Sequence, residues 1–192
     1  MKTSRFGRAK ILTPTEIDLL FTEGFTKPRD KALFGVCLYG ATRINEACTL
    51  LTGDTIGFKG VKEKLLLRSY HTKGKRQTRE IDVHPRLKQY LEEYLVADFD
   101  PKKTYLFPGR HGRGHIHKGS ADLILRTTCH RLEMEGVSTH SFRRTALTRM
   151  SDAGVPLRHI QAISGHRTLA SLERYLGVTE QQKHNAISSL DF

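Results

Sequence analysis

The sequence has few cysteines and no long apolar run. Cys37, Cys48 and Cys129 are its three cysteines, and their odd number and wide spacing fit neither a disulfide framework nor a zinc site. No stretch approaches the roughly 20 apolar residues that a membrane span needs, and no apolar run of signal-peptide length follows the basic N-terminus. We therefore expect free thiols in a reducing compartment and a cytoplasmic protein.

Acidic residues are also scarce. The 192 residues include 20 Asp and Glu against 32 Lys and Arg, which gives a formal net charge of +12. Such an excess attracts polyanions, so nucleic acid is the expected partner. Ribosomal, membrane-surface and polyphosphate-binding proteins share this composition, and the arrangement of the residues has to distinguish them. The length suits one domain whose core needs neither disulfides nor a metal ion.

The stretch 138–178 holds four residues with potential for chemistry. His140 and Arg143 are three residues apart, which places both on one face of a helix. His166 follows a glycine, and Tyr175 lies nine residues further on (175 − 166). Converging cations attract an anion, and a tyrosine hydroxyl among them is a candidate nucleophile. Each of these residues taken alone is more simply explained as part of the core or of the surface.

These motifs resemble the C-terminal half of the tyrosine recombinases, the phage-integrase family, whose pattern reads His-x-x-Arg, Gly-His and then a nucleophilic Tyr. Upstream, YGATRINEACTLLTGD resembles the family's first-arginine box. Arg43 stands in place of the first catalytic arginine, and Glu46 could hold its guanidinium by a hydrogen-bonded fork. Without the downstream motifs, a surface Arg–Glu pair would explain both. The resemblance implies the tyrosine recombinase catalytic-domain fold, an α+β fold that is mainly α-helical with a small antiparallel β-sheet.

The family also carries a lysine on a β-hairpin. Residues 54–83 have the pattern of short strands, and Lys73-Gly74-Lys75-Arg76 forms the turn between the last two. By its place in this turn Lys73 best matches the catalytic lysine, and Lys75 is the alternative. A solvated basic turn is the simpler explanation of the segment, but the order of the motifs favours a role for Lys73.

The resemblance implies a site-specific recombinase or integrase that cleaves and rejoins double-stranded DNA through a 3′-phosphotyrosine intermediate. Because that intermediate keeps the bond energy, neither ATP nor a metal ion or other cofactor is expected. The family also implies a homo-oligomer, a tetramer on paired sites. The implied catalytic residues are Arg43, Lys73, His140, Arg143, His166 and Tyr175, with Glu46 in support and with Lys75, Arg76, Arg144 and Arg167 as DNA contacts.

Each of the implied catalytic residues has a task in this chemistry. The two arginines would bind the non-bridging phosphate oxygens, where one preorganised donor is worth about 2.7–4 kcal/mol. His140 would exchange a proton near the tyrosine, and His166 would hydrogen-bond the scissile phosphate. Tyr175 would attack the phosphorus, and Lys73 would protonate the departing 5′ oxygen.

Helix-start and helix-stop signals divide the rest of the chain. Thr13-Pro14-Thr15-Glu16 predicts a capping box and a helix to about Gly24. Further helices are predicted over 29–39, over 85–97, and from a Ser120 cap to near Gly136. We expect 1–12 to be an N-terminal arm or linker remnant, 13–178 to be the catalytic domain, and 179–192 to be a C-terminal helical tail with Ala186, Ile187 and Leu190 as its apolar stripe.

About a dozen residues precede the first predicted helix, so the N-terminal core-binding domain that is usual in the family is expected to be missing. The chain is then either a naturally short enzyme, similar to the fimbrial invertases, or an excised catalytic fragment. Two other functions share parts of the pattern, a type IB topoisomerase and a DNA-binding regulator without catalysis. The Gly-His pair and the Glu46 box favour a recombinase over the first, and the intact set of catalytic residue types argues against the second.

The loop 104–120 carries three histidines, His111, His115 and His117. No carboxylate or cysteine supports them as metal ligands, and the surrounding glycines loosen the loop. We expect a basic loop that faces DNA and no metal site.

Overall fold

The computed structural model describes residues 9–68, 78–173, 175–176, 187–188 and 190. Helices dominate these residues, and four short strands pair into two antiparallel hairpins. The predicted α+β fold is therefore confirmed. The helices are α1 (Pro14–Leu19), α2 (Pro28–Tyr39), α3 (Ile44–Cys48), α4 (Thr52–Thr55), α5 (Pro85–Ala97), α6 (Lys118–Arg131), α7 (Thr139–Asp152), α8 (Leu157–Ser164) and α9 (Leu169–Glu173), and the strands are β1 (Ile56–Gly57), β2 (Gly60–Val61), β3 (Lys64–Leu67) and β4 (Arg79–Asp82).

The first helix starts at the predicted capping box. The Thr13 hydroxyl accepts a hydrogen bond from the Glu16 amide at 3.2 Å, and the Glu16 carboxylate accepts one from the Thr13 amide at 3.0 Å. The helix continues beyond Leu19 as a short π-helical turn that ends at Gly24. Two otherwise unpaired amides are thus satisfied where the helix begins.

Helix α2 runs through the centre of the core and packs against α5 and α7. The Phe34 ring stacks on Phe25 with centroids 4.6 Å apart and lies 5.1 Å from the ring of Phe142 on α7. Phe142 is fully buried and directly precedes Arg143 in sequence. Its packing therefore fixes the rotation of α7 and, with it, the direction in which the candidate site residues project.

Helices α7, α8 and α9 follow one another through the stretch that carries the motifs. Gly154 and Gly165 have φ values of 75° and 64°, in the left-handed region that glycine adopts without strain. Gly165 caps the end of α8. The stretch thus consists of a helix, a glycine turn and a second short helix that ends at the Gly-His pair.

The second hairpin pairs β3 with β4, with Leu67 opposite Arg79 and Leu65 opposite Ile81. These four side chains share one face of the hairpin, because successive side chains on a strand alternate between its two faces. Leu65, Leu67 and Ile81 are buried in the main core. The predicted turn with Lys73, Lys75 and Arg76 lies outside the described residues.

Helix α5 has the predicted bounds, whereas the bounds predicted for α6 are wrong. Residue 120 does not cap this helix, which begins two residues earlier at Lys118. The cap is His117, whose ring Nδ1 accepts a hydrogen bond from the Gly119 amide at 3.1 Å. The helix ends at Arg131 and not near residue 136, since Glu133 takes a left-handed φ of 54°.

The other histidines of the loop 104–120 also contact their surroundings. His115 Nδ1 lies 2.9 Å from the Ile116 carbonyl oxygen, and its ring meets that of Tyr105 edge to face at 5.1 Å. His111 has a left-handed φ of 57° in a single 3-10 turn. Within the described residues, no cluster of three His, Cys, Asp or Glu side chains could hold a metal ion.

The predicted free thiols are confirmed, because Cys37, Cys48 and Cys129 are all unpaired and buried. Burial raises the pKa of Cys48 to about 12 and that of Cys129 to about 11. Thiols are unreactive nucleophiles when burial keeps them protonated. These cysteines therefore serve as small core side chains.

Most of the predicted C-terminal tail, including Ala186, lies outside the described residues. Ile187 and Leu190 are described and are 70% and 59% exposed. The apolar stripe therefore stays a prediction. Among the helices that the structure describes, none has both the length and the apolar character to cross a bilayer.

The connection from α2 to α3 contains a non-glycine residue in the left-handed region. Ala41 has a φ of 46° and is completely buried against Leu147, Ile160 and Leu172. This conformation costs an L-residue roughly 1–2 kcal/mol. The carbonyl oxygen of Ala41 accepts a 2.6 Å hydrogen bond from the guanidinium of Arg143, so the strained residue is tied to the candidate site.

The strain at Ala41 can be measured against Ala47, which is equally buried but lies in helix α3. Replacement by glycine removes the same buried methyl group at both positions. At residue 41 it also relieves the strained φ, whereas at residue 47 it costs about 1 kcal/mol of helix propensity. Both replacements should lower the free energy of unfolding. We expect Ala41→Gly to remain more stable than Ala47→Gly by at least about 1 kcal/mol, as measured by urea denaturation. Equal losses would contradict the strain.

Candidate active site

The N-terminus of α3 joins Arg43 to Glu46. The Arg43 amide donates to Glu46 Oε2 at 2.8 Å, and Arg43 Nη1 lies 3.2 Å from Glu46 Oε1. Glu46 is 3% exposed, whereas Arg43 is only partly buried. The carboxylate thus fixes the backbone of Arg43 and its guanidinium together, and the guanidinium stays within reach of solvent.

Arg143 is the largest fully buried side chain among the described residues. Its Nη1 donates to the Ala41 carbonyl at 2.6 Å, and its Nη2 donates to the Ser164 carbonyl at 2.8 Å. The Glu46 carboxylate lies 3.9 Å from Nη1. Two main-chain carbonyls and one carboxylate therefore hold this guanidinium in a single orientation.

Burial acts on the ionisation of both Arg143 and Glu46. It lowers the pKa of Arg143, the charge of Arg43 lowers it further, and Glu46 opposes both, with a result of about 9. Burial raises the pKa of Glu46, but hydrogen bonds and charge from Arg79, together with the Arg43 amide and the Arg143 charge, bring it below its ordinary value. Both groups are therefore charged at neutral pH.

His166 lies beside Arg143 just beyond the end of α8. Its Nε2 is 3.2 Å from Arg143 Nη2, and its Nδ1 is 2.7 Å from Ser164 Oγ. The Ser164 hydroxyl donates to the Gln161 carbonyl at 3.3 Å. Because a hydroxyl has one proton to donate, we assign the Nδ1 proton of His166 to the bond with Ser164, which leaves Nε2 as an acceptor that faces Arg143.

Tyr175 and His140 complete the group. The Tyr175 ring lies 5.0 Å from the His166 ring, and the central guanidinium carbon of Arg143 lies 5.9 Å from the Tyr175 ring centroid. His140 is an exposed residue. Desolvation of its ring by neighbouring atoms, followed by the charges of Arg143 and Arg43, lowers its pKa, so the imidazole is neutral at neutral pH.

The structure thus brings together Glu46 and five of the six predicted catalytic residues: Arg43, His140, Arg143, His166 and Tyr175. The sixth, Lys73, lies outside the described residues, as do Lys75 and Arg76. Arg167 is exposed directly after His166. Arg144 was predicted to contact DNA, but its Nε donates to the Tyr175 carbonyl at 3.4 Å and its Nη1 donates to the Ala9 carbonyl.

Arg79 was missed by the sequence analysis. Its Nη1 and Nη2 donate to the two oxygens of Glu46 at 3.3 and 2.9 Å, and its Nε donates to the Ile163 carbonyl at 3.2 Å. Residues 79 and 81 point to the same face of β4, and Ile81 is buried. An arginine on the apolar face of a predicted strand was the available signal, since such a charge needs a buried partner.

Glu46 makes the stability of the fold depend on pH. Its folded-state pKa is lowered, so its contribution is present above the unfolded pKa of about 4.3 and is lost as pH falls through the lower folded value. Glu46→Gln should lower the free energy of unfolding by about 3–5 kcal/mol at pH 7, because buried arginines lose their counter-charge. The difference in free energy of unfolding between wild type and Glu46→Gln should become smaller at pH values below about 4, as measured by urea denaturation.

The matched control is Glu80→Gln in the same hairpin. Glu80 is exposed and lies 3.8 Å from Lys64, so its replacement should change the free energy of unfolding by less than about 0.5 kcal/mol. A gap between wild type and Glu46→Gln that stays constant across the whole pH range would contradict the charged state assigned to Glu46.

Both the sequence and the fold are similar to those of known proteins. The model of the phage integrase family matches residues 10–182. A tyrosine recombinase of Pseudothermotoga lettingae is 27% identical over 180 residues, which cover 93% of this chain and 60% of the relative. A tyrosine recombinase of Thermosipho africanus is 28% identical over 163 residues, which cover 84% of this chain and 54% of the relative. The chain thus spans little more than half of the length of these curated relatives.

Solved structures of recombinases share the fold at low identity. The crystal structure of XerA recombinase aligns with a TM-score of 0.77 and 20% identity, over 98% of this chain and 65% of that one. The XerH site-specific recombinase bound to its difH substrate aligns with a TM-score of 0.69 and 18% identity, over 100% of this chain and 57% of that one. The family match spans nearly all of the described residues, so the chain belongs to the phage integrase family, the tyrosine recombinases.

Proposed function

We propose that this chain cleaves and rejoins double-stranded DNA at specific sites through a 3′-phosphotyrosine intermediate. The observation that carries the proposal is the guanidinium of Arg143, which is fully buried, fixed by two carbonyls, and in contact with His166 and Tyr175. The single charge of Glu46 is shared with Arg43 and Arg79. A buried cation is costly unless an anion compensates its charge, so Arg143 favours the binding of a further anion. The scissile phosphate is the anion that family membership suggests.

The two arginines fit the recognition of a phosphate. Among the described residues, Arg143 Nε has no hydrogen-bond partner although it is buried. An unpaired buried donor costs roughly 1–3 kcal/mol, and a phosphate oxygen would accept from it. Because Arg143 has no exposed surface, a phosphate can reach it only after a neighbouring side chain moves away. Arg43 is partly exposed and can bind the phosphate first.

The nucleophile of the proposed reaction is the Tyr175 hydroxyl. As its oxygen bonds to phosphorus, the phenol loses its proton and the bond from phosphorus to the 5′ oxygen breaks. His140 is neutral at neutral pH and is suited to take that proton. In the reverse step a DNA 5′-hydroxyl attacks the phosphotyrosine and Tyr175 leaves with a proton, so the two steps balance without ATP.

The remaining assignments rest on the family resemblance. Lys73 would protonate the departing 5′ oxygen, with Lys75 as the alternative, and Lys75, Arg76 and Arg167 would contact phosphates. Arg144 would contact DNA while its Nε and Nη1 donate to main-chain carbonyls. His166 Nε2, which faces Arg143, would need a proton to donate to the phosphate.

We also propose how the chain is organised. The segment 13–178 would form the catalytic domain after a short arm, 1–12. The tail, 179–192, would contact a neighbouring copy in a tetramer on paired DNA sites. The exposed side chains of Ile187 and Leu190 are consistent with such a contact.

The replacement Tyr175→Phe tests the nucleophile. It removes one oxygen, so it should abolish the covalent protein–DNA adduct on duplexes that cover the DNA flanking the coding sequence. The dissociation constant should change by less than about threefold, because affinity comes mainly from many phosphate contacts. Denaturing gel electrophoresis measures the adduct, and Tyr105→Phe, the same chemical change in the loop 104–120, is the matched control.

The outcome separates this proposal from the two alternatives. An adduct that persists in Tyr175→Phe would reject the nucleophile. Relaxation of supercoiled DNA without site preference would indicate a topoisomerase. Site-specific binding by the wild type without any adduct would indicate a regulator.

A further inference from the structure

Arg79 is the first residue of β4, and its side chain crosses from the hairpin into the candidate active site. Its side chain is 11% exposed, compared with 2% for its partner Glu46. The two terminal nitrogens of Arg79 engage both carboxylate oxygens in a fork, the geometry in which a guanidinium and a carboxylate bind most strongly. The hairpin is thereby fixed to the helix that begins at Arg43.

The same guanidinium also holds the end of helix α8. Arg79 Nε donates to the Ile163 carbonyl at 3.2 Å. A Cβ atom added at Gly165 would lie 2.8 Å from Arg79 Nη1, so the guanidinium passes directly against the backbone there. The residue between these two points, Ser164, supplies the carbonyl that binds Arg143. Arg79 thus binds Glu46, which holds Arg43, and it also binds the end of α8, whose Ser164 carbonyl holds Arg143.

We propose that Arg79 is a positioning residue that keeps the Arg43–Glu46 pair and the C-terminal end of α8 in register, so that both arginines meet one phosphate. This inference rests on the proposed function. Arg79 itself has no role in DNA contact, because its side chain is almost fully buried and each of its three nitrogens already donates to a protein acceptor.

The charges around Glu46 give this role a distinctive pH signature. Arg79 from β4, Arg43 from the start of α3 and Arg143 from α7 face the carboxylate, and the Cys37 thiol of α2 lies near it. Loss of Arg79 removes the strongest of the interactions that lower the pKa of Glu46. Glu46 should then take up its proton at a higher pH and release Arg43. In the variant this loss of activity should begin at a higher pH, in addition to the loss that protonation of His140 causes in both proteins.

The test compares Arg79→Gln and Arg79→Lys with wild type on the DNA duplexes that flank the coding sequence. Arg79→Gln should slow single-turnover formation of the adduct by about 100-fold, the loss that a displacement of about 1 Å causes. The acid limb of its pH–rate profile, where the rate falls as the pH is lowered, should move to higher pH. Arg79→Lys keeps the charge and should recover part of the rate. The matched control is Arg126→Gln, which removes an exposed arginine paired with Asp122 and should leave the rate unchanged.

A measurement of DNA affinity against salt separates positioning from DNA contact. Loss of one phosphate contact would reduce the log–log slope by about 0.9, whereas a positioning residue leaves the slope unchanged. A reduced slope in Arg79→Gln, or an adduct rate and acid limb equal to those of wild type, would overturn the inference. If Arg79→Gln does not fold, Arg79→Lys carries the same comparison, with a smaller expected loss of rate.

Failure of the proposed function is recognised separately, because wild type would then form no adduct at all. In that case the crystal structure of Arg79→Gln decides the inference. A guanidinium of Arg43 that leaves Glu46, together with a shifted end of α8, supports it. An unchanged position of both overturns it.

Discussion

The site depends on one buried carboxylate. Glu46 is hydrogen-bonded to Arg43 and Arg79 and lies 3.9 Å from Arg143, so a single negative charge faces three positive ones. Burial of charges costs several kcal/mol per ion even in real proteins. Main-chain carbonyls of Ala41, Ile163 and Ser164 offset part of this cost, but they carry no net charge. The positive excess that remains is preorganised for an anion whose charge grows during the reaction.

The backbone around this cluster is shaped to deliver those carbonyls. Ala41 takes a left-handed conformation at the end of α2, and Gly165 does so at the end of α8. Only Ala41 is strained there, and strained backbone persists only where the surroundings impose it. The buried guanidinium of Arg143 contacts the Ala41 carbonyl and the carbonyl of Ser164, which directly precedes Gly165. The aromatic packing of Phe34 and Phe142 behind α7 holds the helix from which that guanidinium projects. The packing of the core around α7 therefore also determines the position of the Arg143 guanidinium in the site.

Local signals in the sequence were sufficient for much of the fold. The capping box at Thr13 and the helix signals at 85–97 predicted elements that the structure confirms, because such signals act over a few residues. The predicted start of α6 was wrong because a ring nitrogen of His117 caps this helix. The prediction relied on the general preference for serine as a helix cap.

The site was only partly predictable, because its supports come from distant parts of the chain. Arg79 is 33 residues from Glu46, and no local pattern pairs them. Arg144 was predicted as a DNA contact from the family resemblance, and its hydrogen bonds to the Ala9 and Tyr175 carbonyls depend on tertiary structure alone. The assignment of Lys73 rests on resemblance, since its turn lies outside the described residues. The residues proposed to contact the phosphate can be recognised from sequence motifs. The residues that position them can be recognised only from the tertiary structure.

The position of the covalent bond to DNA distinguishes Tyr175 from every other nucleophile. Trypsin cleaves after Arg174 and Lys183, so Tyr175 lies in a peptide of residues 175–183 in which it is the sole tyrosine. Mass spectrometry of the digested protein–DNA complex should find the nucleotide mass on Tyr175 in this peptide. A nucleotide attached to any other residue, or the absence of a covalent complex on the flanking DNA, would contradict the proposed role of Tyr175.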